Sequence, residues 1–370
     1  MKKVNVLVLF GGRSGEHEVS LSSARSVVDQ LNPERYQVLQ VGINHAGEWL
    51  WCEYSGRTLD EMQKGNSECL VPVVLLPYPA EGAVYAVRSS TLERIAQIDV
   101  VIPILHGTFG EDGCLQGFLE LTDIPYVGAG VLGSALGMDK SVFKDVMRAH
   151  QIPVVESSLI LRSEIHQDLP GVIAKLEQRL PYPVFVKPAN LGSSVGITKC
   201  NSPSDLVEGL MEAARYDRRI LVERGINARE IEVSVLGNEN PQASVPGEVL
   251  PSREFYSYEA KYLDGTSGLL IPAPLTEEQT RLIQTMAVRV YQAIDCAGMA
   301  RVDFLLDKDT GEIFLGEINT IPGFTEISMY PKLWKASGLD YAQLLDRLIE
   351  LAFERKNERD RTEYRYRREV

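Results

Sequence analysis

The feature that most restricts the fold is met first: the apolar run "VNVLVLF" (4–10), broken at once by Gly11 and Gly12. A run with no polar alternation reads as a strand buried on both faces, and such strands belong to parallel sheets covered by helices. The turn "GGRSGEHEVS" leads into "SLSSARSVVDQL" (20–31), whose spacing predicts an amphipathic helix, and "YQVLQVGI" (36–43) reads as the next strand. "IDVVIPILHG" (98–107) is a further strand ending in glycine, "GCLQGFLELT" (113–122) a helix, and "IPYVGAG" (124–130) a short extended return. Strands alternating with helices predict a doubly wound parallel sheet with its ligands at the carboxyl ends of the strands. The loops 11–17 and 106–113 would lie there. Residues 48–95 carry no motif.

The pattern changes near residue 122. Helix "KSVFKDVMRAH", strand "VVESSLIL", helix "VIAKLEQRL", strand "PVFVKPA" and helix "SDLVEGLMEAARY" make a central lobe over 122–217. From 218 to 355, "RILVERGI", "REIEVSVLG", "ASVPGEVL", "MARVDFLLD" and "EIFLGEINT" read as a mainly antiparallel sheet, the first two joined by a short turn, with the helix "DYAQLLDRLIELAFERK" near the end. The first lobe is thus 1–121, and 356–370 is a charged tail with both signs mixed.

Composition removes several function classes. A 370-residue chain with 44% hydrophobic residues supports two or three packed lobes, and a net charge of −13 argues against a nucleic-acid grip while leaving room for a local basic pocket holding a small anion. Cys52, Cys69, Cys114, Cys200 and Cys296 are odd in number and form no Cys-x-x-Cys pair, so they read as reduced thiols. No run of about 18 apolar residues spans a membrane, and a cytoplasmic location is expected.

Two constellations carry chemistry. Gly11, Gly12 and Gly15 lack the G-x-G-x-x-G spacing, and "VGINHAG" offers no acid for a ribose, which disfavours NAD; a P-loop is also missing. In "KPANLGSSVGI" (187–197), small residues would let backbone N–H groups approach an anion, with hydroxyls from Ser193 and Ser194 and charge from Lys187. A serine–glycine hairpin without a ligand is the plain alternative. In "LGEINTIPG" (315–323) and "MARVDFLLD" (299–307), residues two apart share a strand face, so Glu317 projects with Asn319 and Arg301 with Asp303. If the strands are neighbours, three oxygen donors suit Mg²⁺ and the guanidinium suits developing negative charge. A solvated sheet face with a salt bridge is the alternative. Glu16, at a helix start, could cap that helix or receive an ammonium group, and His106 could be a satisfied core histidine.

Taken together, "LFGGRSGEHEVSL" (9–21), "LHGTFGEDGCLQGFLE" (105–120), "GSALGMDK" (133–140), "VKPANLGSSVG" (186–196), "YSYEAKY" (256–262), "RVDF" (301–304) and "EINTIPGFT" (317–325) resemble the ATP-grasp ligases, and within them the D-alanine:D-alanine ligase family. The motifs run in family order over nearly the whole chain. The resemblance implies an α/β and α+β architecture, the ATP-grasp fold, with the doubly wound lobe followed by two ATP-grasp lobes. It also implies an ATP-dependent ligase that joins two D-alanine molecules through a D-alanyl phosphate and supplies peptidoglycan precursor.

The resemblance further implies a set of roles. Asp303, Glu317 and Asn319 would hold two Mg²⁺, with Mn²⁺ able to substitute, and Lys144, Lys187, Ser193 and Ser194 would meet the ATP phosphates. Glu223, Arg224 and Ile226 would meet the adenine and Glu230 the ribose. Arg301 and the loop at Gly323 would stabilise the tetrahedral oxyanion; Glu16 and His106 would lie at the first D-alanine, and Ser328 and Met329 at the carboxylate of the second. Lys261 and Tyr262 would sit on a closing loop, with the Tyr262 hydroxyl linked to Glu16 and Ser193. A homodimer is the expected assembly. Two readings compete: the same fold with D-lactate or D-serine as second substrate, turning on Tyr262, and a non-catalytic ATP-binding module, which would need eroded metal and oxyanion residues.

Overall fold

The uninterrupted apolar character of the first run has the expected result in the computed structural model: Val4–Gly11 is a strand whose residues Val6 to Phe10 are fully buried. The structure describes residues 2–79, 81–192, 195–250 and 268–364. Val4–Gly11 pairs in parallel with Tyr36–Ile43 on one side and Val100–Ile104 on the other, and Val101 forms a parallel bridge to Tyr126 in the extended return. This parallel core is the doubly wound part. The stretch without a motif adds four antiparallel strands beyond Tyr36–Ile43: Trp49–Cys52, Leu70–Leu75, Ala83–Val87 and Leu92–Gln97, making a seven-stranded sheet. "LERIAQ" in the last is mostly exposed, as befits a charged edge strand.

The second sheet holds four antiparallel strands in the order Thr198–Cys200, Val184–Pro188, Arg219–Arg224, Ser157–Leu161. Arg219–Arg224, read in sequence as the start of the third lobe, therefore belongs to the central sheet. The supposed short turn after it is a crossing: Ala228–Gly237 pairs in a different sheet. That third sheet runs Gly268–Leu270, Gly247–Leu250, Ala228–Gly237, Gly298–Asp307, Ile313–Asn319, antiparallel throughout, with Gln242–Ala243 on its flank.

The cores do not follow the three lobes. Val6, Phe10, Ile102 and Ile104 of the first sheet pack in one cluster with Leu236, Met299, Ile321, Phe324 and Tyr330 of the third lobe, and with Leu344, Leu345 and Leu348 of the helix Tyr341–Arg359. Phe143 and Met147, on the helix Lys140–Ala149 that the sequence places in the central lobe, pack beneath Ile231, Val233 and Val302 of the third sheet. The central sheet has a core of its own, including Ile160, Val172, Val186, Leu210 and Val222. Among the described residues, no helix is long and apolar enough to cross a membrane.

Candidate functional site

The acids meet because of register. Glu232, Asp303 and Glu317 lie opposite one another on three adjacent strands, and Ser234, Arg301 and Asn319 form the next row on the same face. Asp303 pairs with Glu317 but Phe304 with Leu315, so Gly316 is an extra, bulged residue. A Cβ there would lie 3.1 Å from the Asp303 carbonyl oxygen, a contact that the backbone would have to ease by a few tenths of an ångström.

Arg301 organises this face. Its Nε and Nη2 donate to the two Asp303 oxygens at 2.7 and 2.6 Å, and Nε also lies 3.0 Å from Glu232 Oε2. A planar fork gripping one carboxylate while touching a second is a geometry lysine cannot copy. Glu317 Oε2 lies 3.7 Å from Lys140 Nζ, which donates to the Leu191 carbonyl at 2.6 Å and so ties the 187–192 loop to the acids. Carboxylates of Asp303 and Glu317 with the Asn319 amide form an all-oxygen donor set on one partly exposed face, which fits a hard cation such as Mg²⁺.

Facing this sheet, Glu223 is buried between two lysines: its Oε1 lies 2.5 Å from Lys144 Nζ, and its Oε2 is ion-paired with Lys187 Nζ. Burial would raise the Glu223 carboxyl, yet the charges of Lys144 and Lys187 overcome it and hold the group at about 2. Burial lowers the Lys144 pKa in spite of Glu223. For Lys187, burial opposes the charge, but Glu223, then Glu317 and Glu230 across the cleft, raise its pKa. The central and third sheets thus feel each other through Lys187. Lys144 is only 2% exposed, so of the two expected phosphate partners Lys187 is the more accessible. Of the expected adenine residues, Arg224 and Ile226 are half-buried at the crossing, and the Arg224 backbone N–H donates to the Glu156 carbonyl at 3.0 Å.

The first lobe closes the third side. Glu16 makes no capping bond to the helix His17–Gln30, so the capping alternative does not describe it. Its carboxylate is wedged between two loops: a Cβ at Gly107 or Gly192 would come within 2.6 or 2.9 Å of Oε2. His106 is a bridge, as the core reading expects. Nδ1 meets the Ile321 carbonyl at 3.0 Å and Nε2 meets Ser23 Oγ at 3.2 Å, while burial, against the charge of Glu16, lowers its pKa. Glu111 holds the N–H side of the same residue: Oε1 accepts from the Ile321 N–H at 3.1 Å and Oε2 from the Gly107 N–H at 2.7 Å. Burial, then the charge of Glu16, push the Glu111 carboxyl up to about 8. The loop carrying Gly323 is therefore fixed by first-lobe side chains, with Ser23 Oγ also accepting from the Phe324 N–H at 3.3 Å.

Beyond that loop, Ser328 Oγ accepts from the Thr325 N–H at 3.0 Å, and a Cβ on Gly323 would lie 2.9 Å from it. Met329 starts the helix Met329–Ala336, but its side chain packs with Val249 and Leu333 in a small core. What it can offer an anion is its backbone N–H at the helix start. Ser193, Ser194, Lys261 and Tyr262 lie outside the described residues.

Three residues in this arrangement escape sequence reasoning: Glu111, Glu232 and Lys140. Glu232 could have been sought as the residue two beyond Glu230 on the same strand face, but only the register shows that it meets Arg301. Glu111→Ala is expected to cost about 1–3 kcal/mol, because two buried N–H groups lose their acceptor. Urea unfolding of variant and wild type measures it, and a loss near zero would mean that water or another group accepts those bonds.

The comparisons with known proteins agree over the full chain. The family models described as D-ala D-ala ligase N-terminus and D-ala D-ala ligase C-terminus match residues 5–129 and 146–350. A D-alanine–D-alanine ligase of Natranaerobius thermophilus is 50% identical over 363 residues, 98% of each chain, and one of Heliobacterium modesticaldum is 48% identical over 361 residues, again 98% of each. Among solved structures, the D-alanine-D-alanine ligase from Coxiella burnetii is 36% identical with a TM-score of 0.81, covering 97% of both chains. A D-Ala:D-Ser ligase from Enterococcus faecalis, also 36% identical, has a TM-score of 0.84 over 95% of this chain and 100% of its own. With matched family models at both ends and half of its residues shared with full-length relatives, the chain whose acids, lysines and clamped loop are described above belongs to the D-alanine–D-alanine ligase family.

Proposed function

We propose that the chain is an ATP-dependent ligase that joins two D-alanine molecules into D-alanyl-D-alanine, a peptidoglycan precursor, through a D-alanyl phosphate. The observation that carries this reading is the single sheet face bearing Arg301, Asp303, Glu317 and Asn319, set across a cleft from Lys187 and Glu223 in a member of this family. ATP lies between the central and third sheets, its adenine by Glu223, Arg224 and Ile226, its ribose by Glu230 and its phosphates by Lys187 and Lys144. Asp303, Glu317 and Asn319 are the residues that would hold two Mg²⁺, which supply neutralisation of the β- and γ-phosphates when bound.

The first D-alanine lies with its ammonium group at Glu16, and one of its carboxylate oxygens attacks the γ-phosphorus, breaking the bond to the β-phosphate oxygen and releasing ADP. The second D-alanine, its carboxylate at Ser328 and the Met329 N–H, loses a proton and attacks the acyl carbon. Arg301 and the Gly323 loop receive the oxyanion. Phosphate then leaves as the peptide bond is completed. His106 and Glu111 hold the backbone of that loop, His106 on the side of the first D-alanine. A homodimer in the cytoplasm is part of the same reading.

Phosphate release from ATP and Mg²⁺ tests it across D-alanine, L-alanine, D-serine and D-lactate. Release should require D-alanine and stop on chelation of Mg²⁺, since an acyl phosphate forms only when a carboxylate is held in line with the γ-phosphate. Equal release with L-alanine would overturn the assignment.

A further inference from the structure

We propose that His17, His45 and Glu18 form a site for a divalent transition-metal ion of the zinc type, on the outer side of the loop that carries Glu16. One donor atom from each lies within 4.8 Å of the others, and the His45 Nε2 is 3.9 Å from Glu18 Oε1. The two imidazoles are stacked, with centroids 3.9 Å apart and planes at 29°. Two nitrogens and one carboxylate oxygen are the donor set that zinc and its neighbours in the first transition row favour, and magnesium does not.

What separates this group from a chance surface cluster is how its members are held. His17 is buried, and its Nδ1 lies 2.9 Å from the Gly12 carbonyl oxygen. A carbonyl can only accept, so Nδ1 carries the proton and Nε2 keeps its lone pair. An imidazole whose far nitrogen donates to a backbone carbonyl is the usual arrangement of a metal-binding histidine. Room for the ring comes from Gly11 at φ +85°, where a Cβ would lie 3.0 Å from His17 Cε1. His45 rides on a turn braced by Asn44, whose Oδ1 accepts from the Ala46 and Glu48 N–H groups at 3.0 and 2.9 Å and whose Nδ2 donates to Glu48 Oε2 at 2.7 Å. Two ligands of one tetrahedral zinc ion stand about 3.4 Å apart, given bonds of about 2.1 Å. The three donors must therefore draw together, which rotation of the exposed His45 and Glu18 side chains allows once the His45 ring turns out of its stack on His17, while solvent supplies a fourth ligand.

The ion would fasten the 44–48 turn to the first turn of the helix His17–Gln30. This site is independent of the Mg²⁺ acids, which lie on the third sheet. Cobalt(II), which reports its coordination by visible absorption, is the probe, added to the whole protein in excess Mg²⁺. The wild type should bind one Co²⁺ with the intense bands of a four-coordinate nitrogen and oxygen site, and Zn²⁺ should displace it. His45→Ala, at an exposed position that leaves the fold intact, should weaken binding at least about 10-fold, and Glu18→Gln should weaken it in the same direction. Glu317→Gln should leave the spectrum unchanged. Zn²⁺ should raise the Tm of the wild type and not of His45→Ala. A cobalt spectrum unaltered by His45→Ala, abolished by Glu317→Gln, or dominated by thiolate charge-transfer bands would overturn the proposal.

Discussion

Replacing Arg301 with methionine is expected to lower kcat by about 10²- to 10³-fold, the range for loss of one oxyanion donor. Methionine keeps much of the volume and removes the charge, and with it the two bonds to Asp303 and the contact with Glu232. Those carboxylates would then repel each other across neighbouring strands. Arg301→Lys should recover little, because an ammonium group cannot reproduce the fork. Steady-state kinetics with saturating ATP, Mg²⁺ and D-alanine measure the effect, and circular dichroism confirms folding. A kcat within about threefold of the wild type would take Arg301 out of the chemistry.

The second large effect concerns stability. Glu223→Gln leaves Lys144 and Lys187 facing each other around a neutral amide, and the Lys144 ammonium is almost wholly buried. Breaking a buried pair by neutralising one member costs about 3–5 kcal/mol at neutral pH. The pH dependence has a definite sign. The Glu223 carboxyl is held at about 2, below the ordinary glutamate value near 4.3, so its contribution is full above that ordinary value and is lost as pH falls toward 2. The stability gap between wild type and variant should thus be constant from pH 6 to 8 and narrow below pH 4. A gap that stays constant down to pH 2.5 would show that Glu223 is not ionised in the wild type.

Much of this could be read from the chain because its signals are local. The buried run Val4–Gly11, its glycine turn and the helix after it are recognisable from periodicity alone, as are the alternate positions of Arg301 and Asp303. Pairing is different, because it is decided between distant segments. Nothing near Arg219–Arg224 says that it joins Val184–Pro188 instead of Ala228–Gly237, although the burial of Glu223 against Lys187 is one physical reason it does. The antiparallel strands within 48–97 are short and irregular in their hydrophobicity, so they give no periodic signal to follow. Glu111 went unseen because its partners are backbone N–H groups, one of them 210 residues away, and no side-chain pattern announces a backbone bond.

The shared core described above makes the protein two bodies in thermodynamic terms, although it has three sheets. The first and third lobes bury one apolar cluster together and pin one another at Ile321, whereas the central sheet keeps a core of its own and is joined to the rest by polar links such as Arg219–Asp139, Lys144–Glu223 and the Arg148 bond to Ser157. Apolar burial couples segments into one cooperative unit, while ion pairs across a joint can part and re-form in water. Amide exchange should accordingly fall into two protection classes. Val184–Pro188 and Arg219–Arg224 should open together at one free energy, and Val4–Gly11 and Gly298–Asp307 together at a higher one. The proposed nucleotide cleft then lies along the line of least cohesion, where the two bodies can separate without exposing either core.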